Sequence, residues 1–216
     1  ALMYNDLTLA FWLIVAGIVF DFFDGFVARL LHSPSAIGVQ LDSLADVITS
    51  GLAPAAVLWQ VCLQTEPCWL PEAWKLGYGV FVLAAFSALR LAKFNIDETQ
   101  TVEFCGLPTP AGSLLCASLG MLWQQGMLAL SSDGVLLIAV LTSLLLVSPI
   151  RMFALKFHGF GWRGNEVRYL FLLASIVLII ILRTYAIPVI IVLYIVVSAV
   201  RWLCMHSGNP DKAPKA

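Results

Sequence analysis

Asp21, Asp24, Asp42 and Asp46 stand close together in a chain that is otherwise mostly apolar. On a helix, Asp21, Asp24, Gly25 and Ala28 follow one another at i, i+3, i+4 and i+7 and share one face. Gly38, Asp42 and Asp46 recur every fourth residue and make a second stripe. A turn over His32 to Ser35, with Pro34, can fold the two stripes against each other. An ionised carboxylate near the centre of a spanning helix costs roughly 2.5 to 3.5 kcal/mol, so four would cost on the order of 10 kcal/mol. One arginine, Arg29, cannot offset that, and crowded like charges disfavour joint ionisation. A pair of divalent cations can. Hard ions such as Mg²⁺ take carboxylate oxygens, and two neighbouring metals suit displacement at phosphorus. Gly25, Ala28 and Gly38 let a bulky ligand approach the backbone. A plain helix interface of small residues accounts for these three and for Ser43, but not for four carboxylates.

These residues need elements to hold them, and composition says which. Of the 216 residues 61% are apolar and only 12% charged, with a mean hydropathy of +0.93; this predicts an integral membrane protein. A spanning helix needs roughly 20 mostly apolar residues. Seven such spans are predicted, at 7–31, 39–63, 73–95, 110–130, 134–156, 168–183 and 186–204, forming an all-α polytopic transmembrane bundle. Residues 1–206 read as one transmembrane catalytic domain and 207–216 as a short polar tail. Pro108 and Pro110 mark the start of the fourth span, Asp97 to Glu103 a loop, and Arg183 to Pro188 a tight hairpin between the last two. Threaded this way, ten of the twelve lysines and arginines fall on the side of Arg29, and only Lys75 and Arg183 opposite. Such a bias marks the cytoplasmic side, so the aspartates are expected there. A net charge of −1 leaves no basic stripe for nucleic acid. Cys62, Cys68, Cys105, Cys116 and Cys204 have neither metal-ligand nor disulfide-framework spacing.

The pattern Asp21-x2-Asp24-Gly25-x2-Ala28-Arg29-x8-Gly38-x3-Asp42-x3-Asp46 matches at every fixed position the signature of the CDP-alcohol phosphotransferase family, which the chain therefore resembles. The resemblance implies a binuclear site of two divalent ions, Mg²⁺ or Mn²⁺, on Asp21, Asp24 and Asp42. Asp46 would be the catalytic base and close the metal site. Asp21, Gly25, Ala28, Arg29, Gly38 and Asp42 would cradle the nucleotide. The segments LDSLADVITSGLAPA (41–55), ALRLAKFN (88–95), GLPTPAG (106–112) and LLLVSPIRM (144–152) look like those of the membrane-embedded phosphatidylserine synthases within the family. That likeness implies CDP-diacylglycerol and L-serine as substrates, a homodimer in the cell (inner) membrane with the site facing the cytoplasm, and an eighth helix preceding ALMYND in the complete protein.

A serine acceptor brings a carboxylate, which suits a cationic partner. Arg90, Asn95 and Arg151 are the candidates, while Lys93 reads as an interfacial charge. His32 and His158 read as surface residues, Trp69, Trp74, Trp162 and Trp202 as belt residues, and Gly161, Gly164 and Asn165 as part of a connecting loop. Two alternatives stand beside this reading. One is a relative that uses glycerol 3-phosphate or inositol phosphate. The other is a cation transporter, against which stands the crowding of all four aspartates into one helix pair without a matching second half.

Overall fold

In the computed structural model the described residues are 1–30, 36–69, 73–96, 103–153 and 165–207. The predicted turn at His32 and Pro34 lies outside them, as do Lys156, His158, Gly161, Trp162, Arg163, Gly164, the tail from 208 and the side chains of Ala28, Arg29, Trp74 and Lys75. Eight α-helices carry the described chain: α1 Leu7–Leu30, α2 Ala36–Asp46, α3 Ala53–Gln64, α4 Val82–Ile96, α5 Thr109–Gln124, α6 Ser132–Leu146, α7 Glu166–Leu182 and α8 Ala186–Ser207. Helix α2 runs into α3 through a π-helical turn, Val47–Leu52, and α4 is preceded by a 3₁₀ stretch, Ala73–Phe81. Four stretches are long and apolar enough to cross a membrane, Leu7–Val27, Ile37–Gln64, Leu76–Ile96 and Glu166–Cys204, the last holding both α7 and α8.

Helices in lipid gain little from hiding apolar surface from one another, so close approach and van der Waals contact hold them together. Small residues mark the contacts. A Cβ at Gly51 would lie 3.0 Å from Ser87 Cβ and 3.3 Å from the Ala84 backbone, so α4 rests directly on the π-helical turn. Gly120 of α5 admits Val57 of α3, and Gly17 of α1 admits the Thr49 methyl. Leu7, Phe11 and Ile14, one stripe of α1, are buried in a core shared with Val57, Leu58 and Val61 of α3 and Cys116, Ala117 and Met121 of α5. Leu173, Ile176, Ile180 and Ile181 of α7 remain exposed, as lipid-facing side chains do.

Polar groups tie the helices at the end away from the aspartates. Gln124 of α5 accepts from the Leu7 and Thr8 N–H groups at 2.8 and 2.9 Å and so caps α1. Asn5 and Gln64 exchange amide hydrogen bonds at 2.9 and 2.8 Å. Asp133, in the first turn of α6, accepts from the Cys68 and Trp69 N–H groups at 2.8 and 3.0 Å.

One expected span is corrected. A helix over 134–156 would carry Arg151, but α6 stops at Leu146 and Arg151 opens a short strand. Pro149 has no N–H for a helix and pushes the residue before it toward extended geometry. The chain then pairs β1, Glu103–Cys105, antiparallel with β2, Arg151–Phe153, placing Cys105 opposite Arg151. Past β1, the Gly106 and Leu107 N–H groups donate to Ile150 and Leu145 at 2.9 Å each. Gly106, at φ +76°, presses against the Leu146 carbonyl where a side chain would collide. This seam sets where α5 begins. The fourth predicted span also ends early, α5 running from Thr109, with a proline in its first turn, only to Gln124 rather than 130, while α7 and α8 meet over Arg183–Tyr185 as expected. Phe153, Phe171 and Tyr194 stack edge to face with centroids 4.9 to 5.8 Å apart, and the Tyr194 hydroxyl donates to the Phe153 carbonyl at 2.9 Å. That cluster moors β2 to α7 and α8.

Candidate active site

Asp21 and Asp24 sit one turn apart near the end of α1, and Asp42 on α2. One carboxylate oxygen from each lies within 4.8 Å of the others, with Asp21 half-buried and Asp24 and Asp42 exposed. Two oxygens on one Mg²⁺ at about 2.1 Å stand about 4.2 Å apart at most. A small closing movement therefore brings all three carboxylates to one ion, and the donor set, oxygen only, is the kind hard cations prefer. Asp46 is half-buried one turn further along α2, and its charge, with those of Asp42 and Asp24, bears on Asp21. Among the described residues no atom lies within 4 Å of a Cβ added at Gly25. Gly38 lies on the exposed surface of α2.

The acceptor candidates separate. Arg90 of α4 is 8% exposed, donates from Nη1 to the Thr109 hydroxyl at 2.6 Å, and lies 5.8 Å from the centre of the Phe94 ring. Its charge acts on Asp46. Asn95 is exposed and donates to the Ser43 hydroxyl at 2.8 Å, beside Asp42. Arg151 is exposed on β2, paired opposite Cys105. A cavity of about 400 Å³ opens beside Arg90, bordered by Lys93, Phe94, Cys105, Ser148 and Pro149 among others. Lys93, read from sequence as an interfacial charge, thus shares a wall with Arg90.

Thr109 escaped the sequence reading, and the helix register explains its place. Gln64 and Gln124 both bond to Asn5, so α3 and α5 end together and run in the same direction. Val57 meets Gly120. Two turns back along each helix stand Ser50 and Ser113, and one turn further Asp46 and Thr109. From α4, Ser87 touches the chain at Gly51 and Arg90 reaches Thr109. Asp46, Thr109 and Arg90 therefore occupy one level. Ser50, Ser87 and Ser113 lie beneath it, fully buried; the Ser50 hydroxyl is directed at the Asp46 carboxylate one turn away, while those of Ser87 and Ser113 have no partner among the described residues. Their only sequence signal is the i, i+3 or i+4 offset from a charged or hydroxyl-bearing residue nearer the surface.

The family model of the CDP-alcohol phosphatidyltransferases matches residues 1–153, from α1 through β2. The chain belongs to this family. Membership makes it a transferase of phospholipid synthesis and settles the choice against a cation transporter. Among its relatives, a CDP-diacylglycerol–serine O-phosphatidyltransferase of Bacillus subtilis (strain 168) is 33% identical over 159 residues, 74% of this chain and 82% of the relative. A Helicobacter pylori protein (strain ATCC 700392 / 26695) of the same name is 31% identical over 200 residues, 90% and 80% of the two chains. A third, from Mycobacterium tuberculosis (strain ATCC 25618 / H37Rv), is 35% identical over 220 residues, 94% and 73%.

Proposed function

We propose that the protein transfers the phosphatidyl group of CDP-diacylglycerol to L-serine, giving phosphatidylserine and CMP. The names of the relatives support this acceptor, and the observation that carries it is Arg90, a buried cation whose charge reaches Asp46. A carboxylate held by Arg90 leaves the acceptor hydroxyl free to turn toward Asp46.

In this reading Asp46 takes the hydroxyl proton as the serine oxygen attacks the phosphorus that bears diacylglycerol. A hydroxyl is too weak a nucleophile at neutral pH without such a base. The bond from that phosphorus to the CMP oxygen breaks, CMP leaves with the electron pair, and Asp46 later gives its proton to water. Two divalent ions, Mg²⁺ or Mn²⁺, held by Asp21, Asp24, Asp42 and Asp46, supply charge neutralisation at the diphosphate when bound. Gly25, Ala28, Arg29 and Gly38 cradle the nucleotide. Residues 1–206 act as one catalytic domain followed by the tail 207–216, working as a homodimer in the cell (inner) membrane with the aspartates toward the cytoplasm. Asn95 and Arg151 are proposed to assist the acceptor.

Gly25 offers a test in which stability and activity part. A Gly25→Ala side chain meets nothing among the described residues and raises helix stability by about 1 kcal/mol, yet it enters the space given to the nucleotide. We expect a higher melting temperature with turnover lowered about tenfold or more, since small misplacements at a reacting centre are amplified. Turnover unchanged in the Ala variant removes Gly25 from the nucleotide site.

A second reading, a phosphorylated acceptor, is favoured by Lys93 standing beside Arg90. Radiolabelled CDP-diacylglycerol offered with L-serine, glycerol 3-phosphate or inositol phosphate decides between them. Labelled phosphatidylserine from serine alone is the expected product. Transfer to glycerol 3-phosphate with none to serine overturns the acceptor.

A further inference from the structure

Arg90 is unevenly satisfied. One Nη is held by the Thr109 hydroxyl at 2.6 Å, while Nε, also buried, has no acceptor among the described residues. A buried guanidinium donor without a partner is an unusual expense for a fold. Beside it lies the cavity of about 400 Å³, within the range of small-molecule sites. Two cations border that cavity, Arg90 and Lys93, together with Ser148. Arg90 reaches Thr109, which the helix register places at the level of Asp46, and its charge acts on Asp46. The guanidinium therefore borders a chamber with room for a small ligand and lies at the level of the group assigned as base.

We propose that Thr109 is a positioning residue that sets acceptor selectivity. By pinning one edge of Arg90 it leaves the remaining donors to a carboxylate arriving through the Lys93-lined cavity, with that acceptor's hydroxyl directed at Asp46. The ligand class is a small α-amino or hydroxy acid carrying a free hydroxyl, and the inference rests on the serine reading above. Thr109 is suited to the task because it is fully buried and sits in the first turn of α5, whose start is set by the Gly106–Leu107 seam. An acceptor without an anionic group, such as ethanolamine, has nothing to satisfy Arg90 and is refused by the same geometry.

The test is Thr109→Val, which keeps the β-branch and volume and removes the oxygen. In detergent the KM for L-serine should rise about tenfold or more, the change expected for freeing a buried charged donor. The KM for CDP-diacylglycerol should stay within about twofold of wild type, the preference for serine over ethanolamine should narrow, and Thr109→Ser should restore the serine KM. Thr109→Ala supplies the same readout should the valine variant not fold. Unchanged serine KM in a folded variant overturns the inference alone. So does a parallel rise of both KM values without rescue by Thr109→Ser, which marks a structural role. Wild type that makes no phosphatidylserine removes the acceptor assignment and this inference with it.

Discussion

Asp46→Asn is expected to lower kcat for CMP release about 10²- to 10⁴-fold, the range that general-base assistance contributes. The amide keeps the shape of the carboxylate and can still face a cation through its carbonyl, but it cannot take a proton from the acceptor hydroxyl. KM for CDP-diacylglycerol should change little, because the diphosphate is assigned mainly to Asp21, Asp24 and Asp42. The same substitution should raise the melting temperature measured in EDTA. Asp21, Asp24, Asp42 and Asp46 repel one another when no ion is bound, and one fewer negative charge relieves that repulsion. Stability and activity moving in opposite directions is what a strained active site shows when it is blunted. A variant that retains more than a tenth of wild-type kcat removes Asp46 from the role of base.

Asp42→Ala is expected to abolish the response to divalent ions. Asp42 is the contribution of α2 to the three carboxylates whose oxygens lie within 4.8 Å, so its loss leaves Asp21 and Asp24 on α1 with only Asp46, one turn further along α2, opposite them. Losing the charge stabilisation of a bound ion, worth about 4 kcal/mol, lowers turnover about 10³-fold. A second readout does not depend on turnover. An ion that binds only the folded state at 100 times its dissociation constant stabilises the protein by about 2.7 kcal/mol. Wild type should therefore melt at a higher temperature in Mg²⁺ than in EDTA, and Asp42→Ala should show no such gap. A variant with the full magnesium shift places the ion elsewhere.

How much of this the sequence disclosed depended on whether the signal was local. The aspartate stripes were legible because helical periodicity alone puts Asp21 with Asp24 and Asp42 with Asp46, and a charge in an apolar span needs a reason. The helices α1, α5, α7 and α8 were legible from their apolar runs. The end of α6 was misread: apolar residues continue past Leu146, and what stops the helix is Pro149 together with pairing to Glu103–Cys105, far away in the chain. The π-helical turn after Asp46 likewise has no local signature, since it depends on Gly51 lying against Ser87 and Ala84. Arg90 drew notice as a charge in an apolar helix, but its partner Thr109 could not be inferred before α4 and α5 were placed side by side. The split of Arg90 and Arg151 onto a buried helix and an exposed strand has the same origin.

The amide links among Asn5, Gln64 and Gln124 lie about 20 Å along α1 from Asp21, given 1.5 Å per residue. Helix α2, by contrast, leaves almost every side chain from 37 to 46 uncovered. Among the described residues the molecule is thus fastened at its foot and open at the tip that carries the aspartates, and on the function proposed above bound cations and nucleotide would tie that tip together. Lipid turnover and local rigidity should then rise and fall together with the supply of metal, while the far end keeps its shape throughout.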